Sequence, residues 1–167
     1  MAVFKKIWNV FTTVVLLLVI VLAILLVGVR LFGFKPYTVL SGSMEPTYHV
    51  GSLIYVKSVD VTSLDVDDPI TFYIDEKTVA THRIIEVKPD SANPDARYFR
   101  TQGDANDTPD DPIHSSSVIG KPIFTIPYLG YLSNFLQHPL GRNVAIASCM
   151  ALLLLMLLPD LFTKKRD

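Results

Sequence analysis

The chain has 167 residues, half of them hydrophobic, a formal net charge of −1 and a single cysteine, Cys149. One cysteine excludes an internal disulfide framework, and the near-balanced charge, with no basic stripe, leaves no footprint for nucleic acid. His49, His82, His114 and His138 are scattered, with no HExxH pair and no CxxC, so neither a metal centre nor another cofactor is implied.

The hydrophobic excess sits in two blocks near the ends, as in a membrane protein. Between Lys6 and Arg30 stand 23 residues without a charge, with an apolar centre at residues 14–27. A helix needs about 20 apolar residues to cross the hydrocarbon layer, whereas the apolar region of a cleavable signal peptide is roughly 7–15 residues long. The block therefore predicts an uncleaved transmembrane signal-anchor at residues 8–29, after a cytoplasmic N-terminus at 1–7. The second block has 17 uncharged residues from 143 to 159, near the lower limit for a span, and Leu161 and Phe162 extend it. It predicts a second transmembrane helix at 143–162, with a buried or interfacial helix as the alternative.

Lys5 and Lys6 precede the first block, and Lys164, Lys165 and Arg166 follow the second. Positive residues beside a span favour the cytoplasmic side. Both termini are then cytoplasmic, including a tail at 163–167, and the chain crosses the cell membrane twice. Arg30 and Arg142 oppose that bias more weakly. Residues 30–142 remain as an extracytoplasmic domain beside the lipid bilayer.

This middle segment reads as strands. Residues 52–56, 70–74, 78–87 and 97–101 are short, partly alternating and rich in β-branched and aromatic side chains. Turn-forming Asp, Asn and Pro residues separate them at 67–69, 88–90 and 93–95. Such spacing predicts a compact β sandwich or barrel. Residues 102–117 are turn-rich and read as a long loop of the kind that carries function. The predicted fold is thus a mainly β extracytoplasmic catalytic domain between two transmembrane α-helices.

Three stretches carry chemistry. In Ser41-Gly42-Ser43-Met44-Glu45-Pro46-Thr47, a serine stands beside a glycine that lets the backbone approach a substrate closely. Ser43 is a candidate nucleophile, and the Ser41 hydroxyl a candidate oxyanion donor. A serine needs a base to take its proton. His82, in Val79-Ala80-Thr81-His82-Arg83-Ile84-Ile85, is the candidate, since histidine's ordinary pKa of about 6.5 suits proton transfer near neutrality. The third stretch is the acidic run from Thr101-Gln102-Gly103-Asp104 to Asp111. Taken singly, these are also an ordinary Ser/Gly turn, a satisfied strand histidine and a solvated acidic loop.

Together and in this order they resemble the signal peptidase I family. The Ser-Gly-Ser-Met-x-Pro-Thr heptad, shortly after an N-terminal signal-anchor, resembles that family's nucleophile box. The resemblance implies that Ser43 attacks, and that Ser41 and the Ser43 amide hold the oxyanion. His82 stands where the common bacterial branch has lysine. This is similar to the branch found in the endoplasmic reticulum, in archaea and in some Gram-positive spore formers, where histidine is the general base. The acidic run resembles the family's Thr-Lys-Gly-Asp box. It implies Asp110 as the residue orienting the base and Asp104 as a residue holding the site together. Asp107 and Asp111 are close enough to leave the orienting role open. Residues 118–132 resemble the family's closing segment and read as a strand followed by a membrane-proximal turn.

Two departures stand out: Asp67-Asp68-Pro69 replaces the usual Gly-Asp-Ile, and Gln102 replaces a lysine. Roughly 13 residues separate Ser43 from the end of the first span, so the serine is expected near the outer membrane surface, at about 3.3 Å per residue. The implied activity is removal of N-terminal signal peptides from exported pre-proteins, with signal peptides and secretion machinery as partners. The alternative is a catalytically inactive, membrane-tethered β-domain that binds exported proteins or a partner subunit.

Overall fold

The computed structural model describes residues 2–91 and 93–163. The charges at Lys164, Lys165 and Arg166, expected on the cytoplasmic side, lie outside the described residues. The chain divides into two units, one holding residues up to 28 and from 134 onward, the other spanning Val29–Ser133.

In the first unit, α1 (Ala2–Leu26) and α3 (Pro139–Thr163) are long helices. Both contain stretches long and apolar enough to cross a membrane, Lys6–Leu26 and Pro139–Met156. Neither stretch is buried in protein: Leu17 is 56 % exposed and Leu154 63 %. A core helix of a soluble protein would hide such side chains. The first helix ends three residues before the expected 29, where the chain tightens into a 3-10 turn at Gly28–Phe32. The second begins at Pro139, four residues earlier than expected, because proline with its fixed φ is well suited to the first helical position. A short helix, α2 (Leu129–Gln137), precedes it where the sequence suggests only a turn.

The second unit is built on seven strands: β1 (Phe34–Thr38), β2 (Leu53–Lys57), β3 (Pro69–Tyr73), β4 (Val79–Pro89), β5 (Arg97–Gln102), β6 (Ile113–His114) and β7 (Val118–Ile126). All pair antiparallel, in the order β1-β2-β7-β3-β4-β5-β6. The sheet is open at β1 and β6, so the expected sandwich or closed barrel is instead a half-barrel. Long β7 makes this possible. Its first residues pair with β3 and its later ones with β2, so one strand joins the two halves.

Among the described residues, two apolar clusters pack against the sheet. One gathers Leu64, Ile70, Phe72, Ile84 and Phe99; the other gathers Ile54, Val56 and Ile119. Each large side chain buried this way contributes about 1.5–3 kcal/mol relative to exposure. On β4 the alternation matters most. His82 is opposite Ile70, Ala80 is opposite Phe72, and Ile84 is opposite Thr101, so His82 shares the core face with the first cluster. Arg83, one residue on, faces the other way.

Candidate active site

Ser43 sits on a tight turn between β1 and β2. The Glu45 amide donates to the Gly42 carbonyl at 3.0 Å, and the Tyr48 amide to the Met44 carbonyl at 2.9 Å. The Met44 side chain is buried and anchors the turn. The Ser43 carbonyl accepts the Ala105 amide at 2.9 Å, which ties the turn to the loop after β5. That approach needs a residue without a side chain at 103: a Cβ on Gly103 would lie 2.5 Å from the Ser43 oxygen.

The His82 ring is buried, with the edge-on ring of Phe72 at 6.1 Å. Its Nε2 lies 3.2 Å from Ser43 Oγ, and its Nδ1 lies 2.6 Å from Asp110 Oδ2. A carboxylate on Nδ1 makes that nitrogen the donor and leaves Nε2 to accept the serine proton. Ser41 Oγ is 3.4 Å from Ser43 Oγ, on the exposed side of the turn. Ser41, Ser43, His82 and Asp110, drawn from three distant stretches, therefore meet at one place. Asp107 and Asp111 are exposed, and it is Asp110 that reaches the ring.

Asp104 goes elsewhere. Its carboxylate receives two bonds from Arg83, Nε to Oδ1 and Nη2 to Oδ2, each 2.8 Å, and a third from the Thr47 hydroxyl. Arg83 Nη1 also donates to the Asp67 carbonyl at 2.7 Å. The Arg83 guanidinium, followed by burial acting in the opposite sense and by the Thr47 hydroxyl, sets a net shift that holds the Asp104 carboxyl below its usual range. The same contact raises Arg83 further. Asp104 thus joins the serine turn, strand β4 and the loop before β3, without touching the imidazole.

Sequence reasoning missed several of these residues. Arg83, Thr47 and Thr101 carry no catalytic chemistry of their own, and their partners lie 9 to 57 positions away. An arginine directly after the histidine was the one available signal. Asp67 holds φ at 74°, in the left-handed region where glycine is most at ease.

The site's surroundings have relatives of known kind. Residues 10–98 match the family described as signal peptidase, peptidase S26. Signal peptidase I W of Bacillus subtilis is 39 % identical over 110 residues, covering 61 % of this chain and 56 % of that protein. The match thus spans little more than half of that relative. The signal peptidase complex catalytic subunit SEC11 of Pyricularia oryzae is 28 % identical over 128 residues, covering 71 % and 73 %. The SEC11C subunit of Rattus norvegicus is 27 % identical over 127 residues, covering 70 % and 65 %.

Proposed function

The chain belongs to the signal peptidase family, peptidase S26, and from that premise we propose that it is a membrane-bound serine endopeptidase that removes N-terminal signal peptides from exported pre-proteins. One observation carries the reading: Ser43 Oγ, the His82 ring and the Asp110 carboxylate form a continuous hydrogen-bonded line. Spacing of 3.2 Å at Nε2 is within reach of proton transfer to a general base.

In the proposed cycle, the cleavage region of a signal peptide lies extended beside the sheet, with small residues one and three positions before the cut. His82 Nε2 takes the proton of Ser43 Oγ as that oxygen attacks the carbonyl carbon. The Ser43 amide and the Ser41 hydroxyl donate to the oxyanion, and Asp110 stabilises the imidazolium. His82 then protonates the leaving amine, the peptide bond breaks, and water releases the acyl group from Ser43. Arg83 and Asp104 hold the framework and take no proton.

The two apolar helices are assigned to the membrane, with both termini cytoplasmic and the β unit outside. The SEC11 relatives are named as catalytic subunits of a signal peptidase complex. By that likeness, contacts with secretion machinery are part of the proposal.

The test uses the full-length chain in detergent with a labelled pre-protein. Ser43→Ala is expected to abolish cleavage, and His82→Ala to reduce it nearly as far. Unimpaired processing by Ser43→Ala would overturn the assignment. Loss of activity with Lys57→Ala or Lys77→Ala, while His82→Ala stays active, would replace histidine with a lysine base.

A further inference from the structure

We propose that Thr101 is a positioning residue for the base, acting through the Asp110 oxygen that holds the His82 ring. The inference rests on the serine–histidine reading above. Thr101 lies on β5 and is fully buried. Its hydroxyl donates to Asp110 Oδ2 at 2.7 Å, and the same oxygen accepts a hydrogen bond from His82 Nδ1 at 2.6 Å. The Thr101 carbonyl in turn accepts the Asp110 amide at 2.8 Å. One residue therefore clamps both the main chain and the carboxylate of Asp110, which otherwise stands on a loop outside the sheet.

The clamp has two chemical consequences. A carboxylate on a loop can turn about its last torsion and exchange one oxygen for the other. A second donor on Oδ2 opposes that motion and keeps the ring aimed at Ser43. The hydroxyl also takes part of the charge of Oδ2. With it gone, that oxygen faces the ring with its charge less neutralised and favours the imidazolium more strongly. Among the described residues, the other charged groups near the ring are Asp104 in the loop after β5 and Arg83 beside the histidine on β4, which are paired with each other. Ser43 completes the set. None of these is altered by a change at Thr101.

Thr101→Val removes the donor and keeps the shape. In full-length enzyme in detergent, with a fluorogenic signal-peptide substrate, kcat is expected to fall about tenfold with KM little changed, the mark of an interaction felt in the transition state. The acid limb of the kcat/KM profile is expected to move to higher pH. Thr101→Ser keeps the hydroxyl and restores both. In an Asp110→Asn background, Thr101→Val adds no further loss, because its route to the base is already cut. Should valine prevent folding, Thr101→Ala, which also lacks the donor, takes its place.

A parental kcat and an unmoved acid limb in Thr101→Val would overturn the proposal. So would equal losses in the valine and serine variants with no change in the profile, which is the behaviour of a packing residue. Ser43→Ala is measured alongside. If it is inactive while Thr101→Val is parental, only this inference fails; if it still cleaves, the reading beneath it fails.

Discussion

Replacing Gly103 with alanine tests how closely the Ser43 turn is set. The added Cβ would stand 2.5 Å from the Ser43 carbonyl oxygen. A carbon–oxygen contact settles at about 3.3 Å, so one side must retreat by roughly 0.8 Å. The Asn106 side chain, also close to this Cβ, can rotate away. The Ser43 main chain has less freedom, since its carbonyl accepts the Ala105 amide and the next side chain, Met44, is buried. Ser43 Oγ already lies 3.2 Å from His82 Nε2, at the outer end of the productive range. A misplacement of about 1 Å costs on the order of 10²-fold in rate, so kcat/KM should drop about 30- to 100-fold. The strain itself costs about 1–3 kcal/mol. Both apolar clusters remain untouched, so the β unit stays folded with a lowered Tm. Cleavage of a fluorogenic signal peptide, read beside thermal unfolding by circular dichroism, separates the two effects. Activity within about threefold of the parent, with an unchanged Tm, would refute the reasoning.

Three other sets of substitutions probe the same framework. Asp110→Asn should slow turnover more than Asp107→Asn or Asp111→Asn, because only Asp110 touches the ring; steady-state kinetics with the reverse ranking would move the orienting role. Asp104→Asn removes charge-assisted bonds to Arg83 and should cost about 2 kcal/mol at pH 7. The Asp104 carboxyl is held low when folded, so its contribution is fully present above the unfolded value of about 3.9. That contribution is lost as pH falls through the folded value, and the Tm gap between parent and variant should close there and stay constant from pH 5 to 8. Asp67→Gly relieves a left-handed backbone and should raise stability by about 0.5–1 kcal/mol, whereas Asp67→Ala should lower it. A lower Tm for the glycine variant would show that the Asp67 side chain does more than tolerate its backbone.

Much of the architecture was legible because its signals are long or periodic. The uncharged run after Lys6 and the alternating strands β2 to β5 announce themselves. Strand β1 did not, because Pro36 lies within it; proline is tolerated there because β1 is at the edge of the sheet. Strand β6 is two residues long, too short to register. Helix α2 opens on Leu-Gly-Tyr, a poor helical start. Yet Gly130 packs where a Cβ would fall 2.4 Å from the Ser52 carbonyl, so close packing outweighs propensity. At the site, motif order brought out Ser43, His82 and the acidic run, but the choice among four aspartates depends on loop geometry. The Asp110 amide bonded to the Thr101 carbonyl turns that one carboxylate inward.

The division of labour between His82 and Arg83 follows from strand parity alone. From Pro69 opposite Arg83 to Tyr73 opposite Val79, the β3–β4 ladder runs without a slip. The irregularity in β4–β5 pairing comes later, between Ile84 and Glu86. Residues 82 and 83 therefore sit in regular pleat, one turned toward Ser43 and Asp110, the next toward Asp104 and Thr47. A one-residue slip would exchange these faces, putting a guanidinium against the apolar core and the imidazole against Asp104. The bulge leaves that parity intact. It also sets Ile84 opposite Thr101, so the hydroxyl that grips Asp110 rises from the same face as the histidine. The alignment of Ser43, His82 and Asp110 and the packing of the core are thus specified by the same register, and a sequence that preserves the core of β4 preserves the aim of the His82 ring.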